Sequence, residues 1–347
     1  MNAAAPGGRF LRNQWYVAAT AAEVGAAPLA RRICDEPLVL FRRGDGTVAA
    51  LEDRCPHRKA PLSRGEVVDG TLQCGYHGMR FAGDGTCARI PGEDRIPAGF
   101  RVRAYPAVER HDLVFLWFGA PGTEDPALIP DFSLNTAPGW AAVHGYTYAR
   151  GHYQLFLDNV LDLTHVVFVH KTTLAGGGVT DSPLAVTVDD DRVHAERVMR
   201  NVATAPIFAA AKGLTDRIDR WQIMDFQPPI YMVATLGAEL PGACETLAQP
   251  SHIIFNSFTP ETARSTHYFW SVVRSWKTDD AQVSKMFSDL ITFAFDEDAR
   301  IIEAQQDRIE TDRSGVPLAS FGIDRAGAAA RRIIERKLDE ETRSNRA

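Results

Sequence analysis

Two short segments constrain this chain more than anything else in it: Cys55-Pro56-His57 and, after sixteen intervening residues, Cys74-Gly75-Tyr76-His77. Four metal-ligating side chains so close together require a fold that brings two loop tips around one metal centre. A [2Fe–2S] cluster with one iron on Cys55 and Cys74 and the other on His57 and His77 fits the pattern. Replacing two anionic thiolates by neutral imidazoles raises the reduction potential well above that of an all-Cys cluster. Tetrahedral zinc also takes two Cys and two His. Zinc modules, however, pair like ligands at C-x2–4-C and H-x3–5-H spacings, whereas each pair here mixes Cys with His.

The flanking residues read as short strands with turn punctuation. Pro37–Arg42 and Thr47–Leu51 flank Gly44-Asp45-Gly46, a hairpin signal. Met79–Phe81, Gly83-Asp84-Gly85 and Thr86–Ile90 repeat it, and Leu113–Phe118 is an apolar strand. Both ligand pairs then fall at strand–loop junctions. Pro121–Pro138, rich in Pro, Asp, Gly and Thr, reads as a seam, which divides the chain into domains at 1–120 and 121–347. In the second, the pattern predicts a helix over 152–170, strand pairs near 183–200 and 219–237, and a hairpin over 252–274 turning at Thr259-Pro260-Glu261. A long helix near 280–309 and a charged one near 325–342 complete it. Ala175–Gly178 reads as a surface turn or a lid. The fold class is α+β.

Composition narrows the function. Of 347 residues 45% are hydrophobic and 24% charged, as in a soluble globular protein, and the net charge of −6 with no basic run argues against nucleic acid. No apolar run is long enough to span a membrane, and residues 1–19 lack a secretory pattern. Five Cys is an odd count; Cys34, Cys87 and Cys244, outside the two pairs, are scattered and read as small buried apolar residues in a cytoplasmic protein.

A second constellation lies in Asp158-Asn-Val-Leu-Asp-Leu-Thr-His-Val-Val-Phe-Val-His170. On a continuous helix Asn159, Asp162 and His165 share a face. His170 would be rotated about 140° from His165, so the two converge only if the helix ends or bulges between them. Two His and one carboxylate on one face of Fe(II) leave three positions for O2, water and substrate; two core His with local hydrogen bonds would give the same sequence. For the carboxylate, Phe295-Asp-Glu-Asp-Ala-Arg-Ile-Ile-Glu303 offers several. Asp298 shares a helix face with Phe295, Ile301 and Ile302, whereas Asp296 and Glu297 point further away.

These motifs, with Arg12-Asn-Gln-Trp-Tyr-Val-Ala-Ala19, resemble the Rieske non-haem iron oxygenases over nearly the whole chain. Arg200–Phe208, Asp219–Pro229 and Phe258–Trp270 lean towards the branch of vanillate O-demethylase and toluenesulfonate methyl-monooxygenase oxygenase subunits, which also holds dicamba O-demethylase. The resemblance implies an N-terminal β-rich Rieske domain and a C-terminal helix-grip domain, an antiparallel sheet around a long helix. It implies a [2Fe–2S] cluster on Cys55, His57, Cys74 and His77, and a mononuclear iron on His165, His170 and Asp298. Asp162 would bridge a cluster His of one subunit to an iron-ligand His of the next in a homotrimer, with Asn159 beside the iron. Asn256 stands where dicamba O-demethylase has a substrate-contacting His, which makes dicamba a poor substrate here; an Asn can still bond a phenol or carboxylate.

The implied activity is O-demethylation of a vanillate-like methoxylated aromatic acid to a phenol and formaldehyde, with O2 and electrons from NAD(P)H. Methyl hydroxylation of an aromatic sulfonate or carboxylate, and ring hydroxylation, use the same irons; an electron-transfer Rieske protein would need only the cluster. No Gly-rich dinucleotide fingerprint is present, so a separate reductase carrying flavin and [2Fe–2S], or a ferredoxin, must supply the electrons. Candidate pocket residues are Asn256, Phe168 and Trp270, with Phe156, Val160 and Tyr268.

Overall fold

The computed structural model describes residues 9–243, 247 and 249–344, in two compact units. One runs Arg12–Asp131. The other holds 132–344 together with 9–11, where Arg9 reaches the carbonyl of Leu338 at 3.1 Å and Asp339 at 3.2 Å. The division at 131/132 falls inside the expected seam. That seam is built rather than loose: Asp125 caps the turn Pro126–Leu128, and Ile129 and Phe132 are buried.

The smaller unit contains three antiparallel sheets. One consists of β1 (Trp15–Thr20), β11 (Leu113–Trp117) and β10 (Ala107–Arg110). Another orders β2 (Leu29–Ile33), β3 (Glu36–Arg42), β4 (Val48–Glu52) and β9 (Ala104–Tyr105). The third is β5 (Glu66–Val68), β6 (Thr71–Gln73), β7 (Arg80–Phe81) and β8 (Cys87–Arg89). Leu51, Leu62, Leu72 and Phe81 form a core that also takes in Cys55 and Cys74. Cys34 is buried, as its sequence context predicts. Cys87 is only half-buried, because β8 is the edge strand of its sheet, and Cys244 lies outside the described residues.

The larger unit is one seven-stranded antiparallel sheet, ordered β12 (Ala141–Ala149), β18 (Ser265–Arg274), β17 (His252–Thr262), β16 (Tyr231–Glu239), β15 (Arg217–Gln227), β14 (Arg192–Ala203) and β13 (Ala185–Asp189). Among the described residues four α-helices accompany it: α1 (Tyr153–Leu161), α2 (Pro206–Lys212), α3 (Ala281–Thr311) and α4 (Arg325–Ser344). Asp280 caps α3 through the amides of Gln282 and Val283. At 31 residues α3 spans about 46 Å. It buries Phe287, Ile291, Phe295 and Ile302, and Phe295 meets the rings of Tyr268 and Trp270. Gln306 Oε1 accepts from the amide of His152 at 2.9 Å, tying α3 to the start of α1. This is the expected α+β helix-grip arrangement.

Two expectations about loops fail for identifiable reasons. The β17–β18 hairpin turns at 263–264, closed by Thr262 and Ser265, rather than at Thr259-Pro260-Glu261. Pro260 is tolerated inside β17 because the pairing with β16 has ended at Ser257, so no partner awaits its missing N–H. Ala175–Gly178 is not a surface turn but lies against 202–205. The amide of Gly177 donates to Ala203 O at 2.9 Å, and a Cβ on Gly178 would meet Val202 at 2.6 Å.

Candidate active site

The two Cys-His loops are near-copies of one another. Cys55 N donates to Ala60 O and Lys59 N to Cys55 O; Cys74 N donates to Met79 O and Gly78 N to Cys74 O, all between 2.7 and 3.0 Å. The turns close on a positive φ at Lys59 (62°) and Gly78 (71°). The loops touch through glycine: a Cβ on Gly75 would stand 2.7 Å from Arg64 O. Both Cys are buried while His57 and His77 are exposed, their rings 4.7 Å apart. Burial raises the pKa of the Cys55 thiol, backbone N–H groups of His57 and Arg58 point at its sulfur and lower it, and Cys74 raises it further. Two buried sulfurs beneath two exposed imidazoles suit a cluster with one thiolate-bound and one imidazole-bound iron.

The second constellation forms by breaking the helix, earlier than the sequence suggested. α1 ends at Leu161, Asp162 is extended (φ −124°, ψ 92°), and a 3-10 turn spans Leu163–Val167. Asn159, Asp162 and His165 therefore do not share one helical face. The break lets both His swing to the same point. His165 Nε2 lies 3.4 Å from Asp298 Oδ1 and His170 Nε2 lies 3.2 Å from Oδ2, with the rings 78° apart. Ligands at adjacent positions on a metal about 2.1 Å away stand roughly 3 Å apart, so these atoms are placed to chelate one ion.

Each Nε2 is freed for a metal by what its Nδ1 does. His165 Nδ1–H donates to the backbone carbonyl of Asp162 at 2.8 Å, and His170 Nδ1–H donates to Glu297 Oε2 at 2.9 Å. Asn159 Nδ2 donates to Asp298 Oδ1 at 3.0 Å. Burial works against protonation of His170, but the hydrogen bonds and charges of Asp298 and Glu297 outweigh it and raise its pKa. A buried site with this excess of negative charge suits a cation.

Two assignments change. Glu297 does not point away; it holds His170, and sequence reasoning missed it because a long side chain reaches round the helix from a neighbouring position. The carboxylate of Asp162 does not contact His165. Its Oδ1 accepts from Thr164 N at 2.9 Å and lies 3.9 Å from Arg197, which sequence reasoning also missed.

His165, His170 and Asp298 line an apolar cavity with Val160, Leu163 and Asn256. Asn256 is already committed: Nδ2 donates to Met232 O and Ile254 O, both at 3.1 Å, and Oδ1 accepts from Tyr268 at 2.6 Å. It has no N–H left for a carboxylate. Phe168 is 63% exposed at the end of the 3-10 turn and does not line this cavity. Trp270 is core: its indole covers Gly145, where a Cβ would fall 1.9 Å from the ring. Phe156 and Tyr268 pack with Phe258 outside the cavity. The lining instead includes Arg220 and Gln222, at alternate positions of β15, and His252, the first residue of β17.

Residues 14–106 match the Rieske [2Fe-2S] domain, and residues 149–340 match the vanillate O-demethylase oxygenase C-terminal domain. The chain belongs to the Rieske non-haem iron oxygenases. This oxygenase is 37% identical over 96% of its length, and 98% of the relative's, to a putative toluene-4-sulfonate monooxygenase system iron-sulfur subunit from Comamonas testosteroni. It is 36% identical to the vanillate O-demethylase oxygenase subunit of a Pseudomonas species, covering 89% of this chain and 96% of that one. A crystal structure of dicamba monooxygenase with non-haem iron and dicamba superposes with a TM-score of 0.82 at 32% identity, covering 97% and 99% of the two chains. The oxygenase is thus a monooxygenase component of a multi-component system, with a Rieske cluster and a mononuclear iron as cofactors. Among the described residues, no helix is long and apolar enough to cross a membrane.

Proposed function

We propose that this oxygenase component O-demethylates a small methoxylated aromatic acid, releasing a phenol and formaldehyde. The observation that carries the reading is the chelating set of His165, His170 and Asp298 opening on an apolar cavity. Cys55, His57, Cys74 and His77 would hold the cluster and the triad the iron. When bound, the cluster relays single electrons and the iron activates O2 to hydroxylate a methyl C–H, and the resulting hemiacetal collapses to products.

The chain's own residues do the positioning. Glu297 and the Asp162 carbonyl fix both imidazole tautomers. Asn159 orients Asp298. Val160 and Leu163 exclude water and seat an aromatic ring. The Asp162 carboxylate would accept a hydrogen bond from a cluster imidazole of a neighbouring copy in a homotrimer, with the Asp162 backbone carbonyl completing the link to His165. The electrons come from a separate NAD(P)H-dependent reductase or a ferredoxin, in the cytoplasm.

The test supplies reductase, NADH and O2 to the loaded protein with methoxybenzoates, methylbenzenesulfonates and phenols. Formaldehyde formed in step with NADH use on a methoxybenzoate supports the reading. Hydroxymethyl products without formaldehyde would replace it by methyl hydroxylation.

A further inference from the structure

The inner face of β15 presents two successive polar residues to the cavity, Arg220 and Gln222, and the sheet register sets Leu236 between Gln222 and His252. Arg220 is 4% exposed, and its Nε and Nη1 have no hydrogen-bond partner. Among the described residues no carboxylate forms an ion pair with it. Burial, and after it the neighbouring cation Arg197, push its pKa down to about 10, so it remains charged at neutral pH. Stacking near Phe208, with 5.4 Å from Cζ to the ring centre, offsets only part of the cost of burying a lone guanidinium. Space is kept for it: a Cβ on Gly176 would stand 2.5 Å from Nη1. His252 is equally bare, with both ring nitrogens buried and unpartnered. Burial, with Lys212 and Arg220 nearby, holds its pKa to about 3, so it is neutral and offers one N–H and one acceptor. Asn256, by contrast, has no donor to spare.

We propose that Arg220, assisted by the N–H of His252 and the amide of Gln222, forms an oxyanion-binding end of the cavity that anchors the carboxylate or sulfonate of an aromatic substrate. The inference rests on the reading of this cavity as the substrate site. The Nε–H and Nη1–H of Arg220 leave the guanidinium in different directions and neither has a protein partner, so each can donate to an oxygen of such an anion. The anchored ring lies in the same cavity as the His165–His170–Asp298 triad, so the anion fixes which end of the substrate faces those residues.

Titration calorimetry on the cofactor-loaded protein without reductant tests this apart from turnover. The probes are 4-methoxybenzoate and 4-toluenesulfonate, each against its neutral amide. Wild type should bind the acids roughly 30-fold or more tighter than the amides. Arg220→Gln should abolish that ratio while leaving amide binding within about threefold, and Arg220→Lys should keep part of it. If Arg220→Gln fails to fold, the wild-type ratio and the Arg220→Lys ratio decide. An absent acid preference in wild type, or one unchanged in the variants, overturns the proposal. Acid preference that depends on Arg220, without formaldehyde from any methoxy acid, would refute demethylation and leave the anion site standing. Demethylation of neutral aryl ethers with no acid preference would do the reverse.

Discussion

Replacing Glu297 by Gln should weaken iron binding without removing an iron ligand. The Glu297–His170 hydrogen bond is 2.9 Å long, with the imidazole 1% and the carboxylate 20% exposed, so water screens it only from one side. A charge-assisted bond of this kind is worth about 1.5–3 kcal/mol. Gln keeps a neutral acceptor for the Nδ1–H, so roughly half of that is lost, about 0.8–1.5 kcal/mol, which is about four- to tenfold in affinity. Ala removes the acceptor and should cost nearer a hundredfold, the upper range for such outer partners of a ligand His. The assay is chelator competition for Fe(II) under anaerobic conditions, with the visible absorbance of the cluster as the internal control. Asp296→Asn, one residue away and outside the triad's hydrogen bonds, should leave affinity unchanged. Wild-type iron affinity in both Glu297 variants would refute the reasoning.

Further consequences follow from the same geometry. Gly75→Ala pushes a methyl against Arg64 O and should cost about 1–3 kcal/mol in the loop, read as lower cluster absorbance per chain. Asp162→Asn should retain both metals yet lose most single-turnover product formation; rates equal to wild type would remove Asp162 from the electron path. His152, buried beside Arg331, has its pKa lowered to about 3 against about 6.5 unfolded. The unfolded state thus binds a proton that the folded state refuses between these values. Stability should fall on acidification below pH 6.5, by about 2 kcal/mol at pH 5 from this group. His152→Asn, which can still cap α1, should flatten the slope of urea midpoints by about one proton. Phe168→Ala should change stability by less than about 0.5 kcal/mol, since the ring is exposed.

The chemistry-bearing residues were more legible than the backbone that positions them. Cys55, His57, Cys74 and His77 sit in two turns whose Gly and polar flanks mark loops, so their convergence could be read from spacing. Asp298 could be picked from the apolar period of α3, because burial follows that period. Glu297 could not: the reach of a flexible side chain depends on what stands opposite, and only the fold puts His170 there. The break at Asp162 was invisible for a similar reason. Its carboxylate accepts from the amide of Thr164, a local bond that competes with helix continuation but leaves the apolar pattern intact. The misplaced hairpin turn came from taking Pro260 as a turn residue when it lies where a strand has lost one neighbour. Arg220 was overlooked because a basic residue in a strand is ordinarily solvated, and only the seven-stranded sheet shows that its face turns inward.

The central claim is that His165, His170 and Asp298 form a second iron site that carries out oxygenation. Metal analysis paired with formaldehyde release tests it most directly. Wild type should hold roughly three irons per chain, two in the cluster and one at the triad. His165→Ala should hold about two, keep the cluster's absorbance and release no formaldehyde from a methoxybenzoate. Two irons in the wild type, or formaldehyde from His165→Ala at the wild-type rate, would contradict the account.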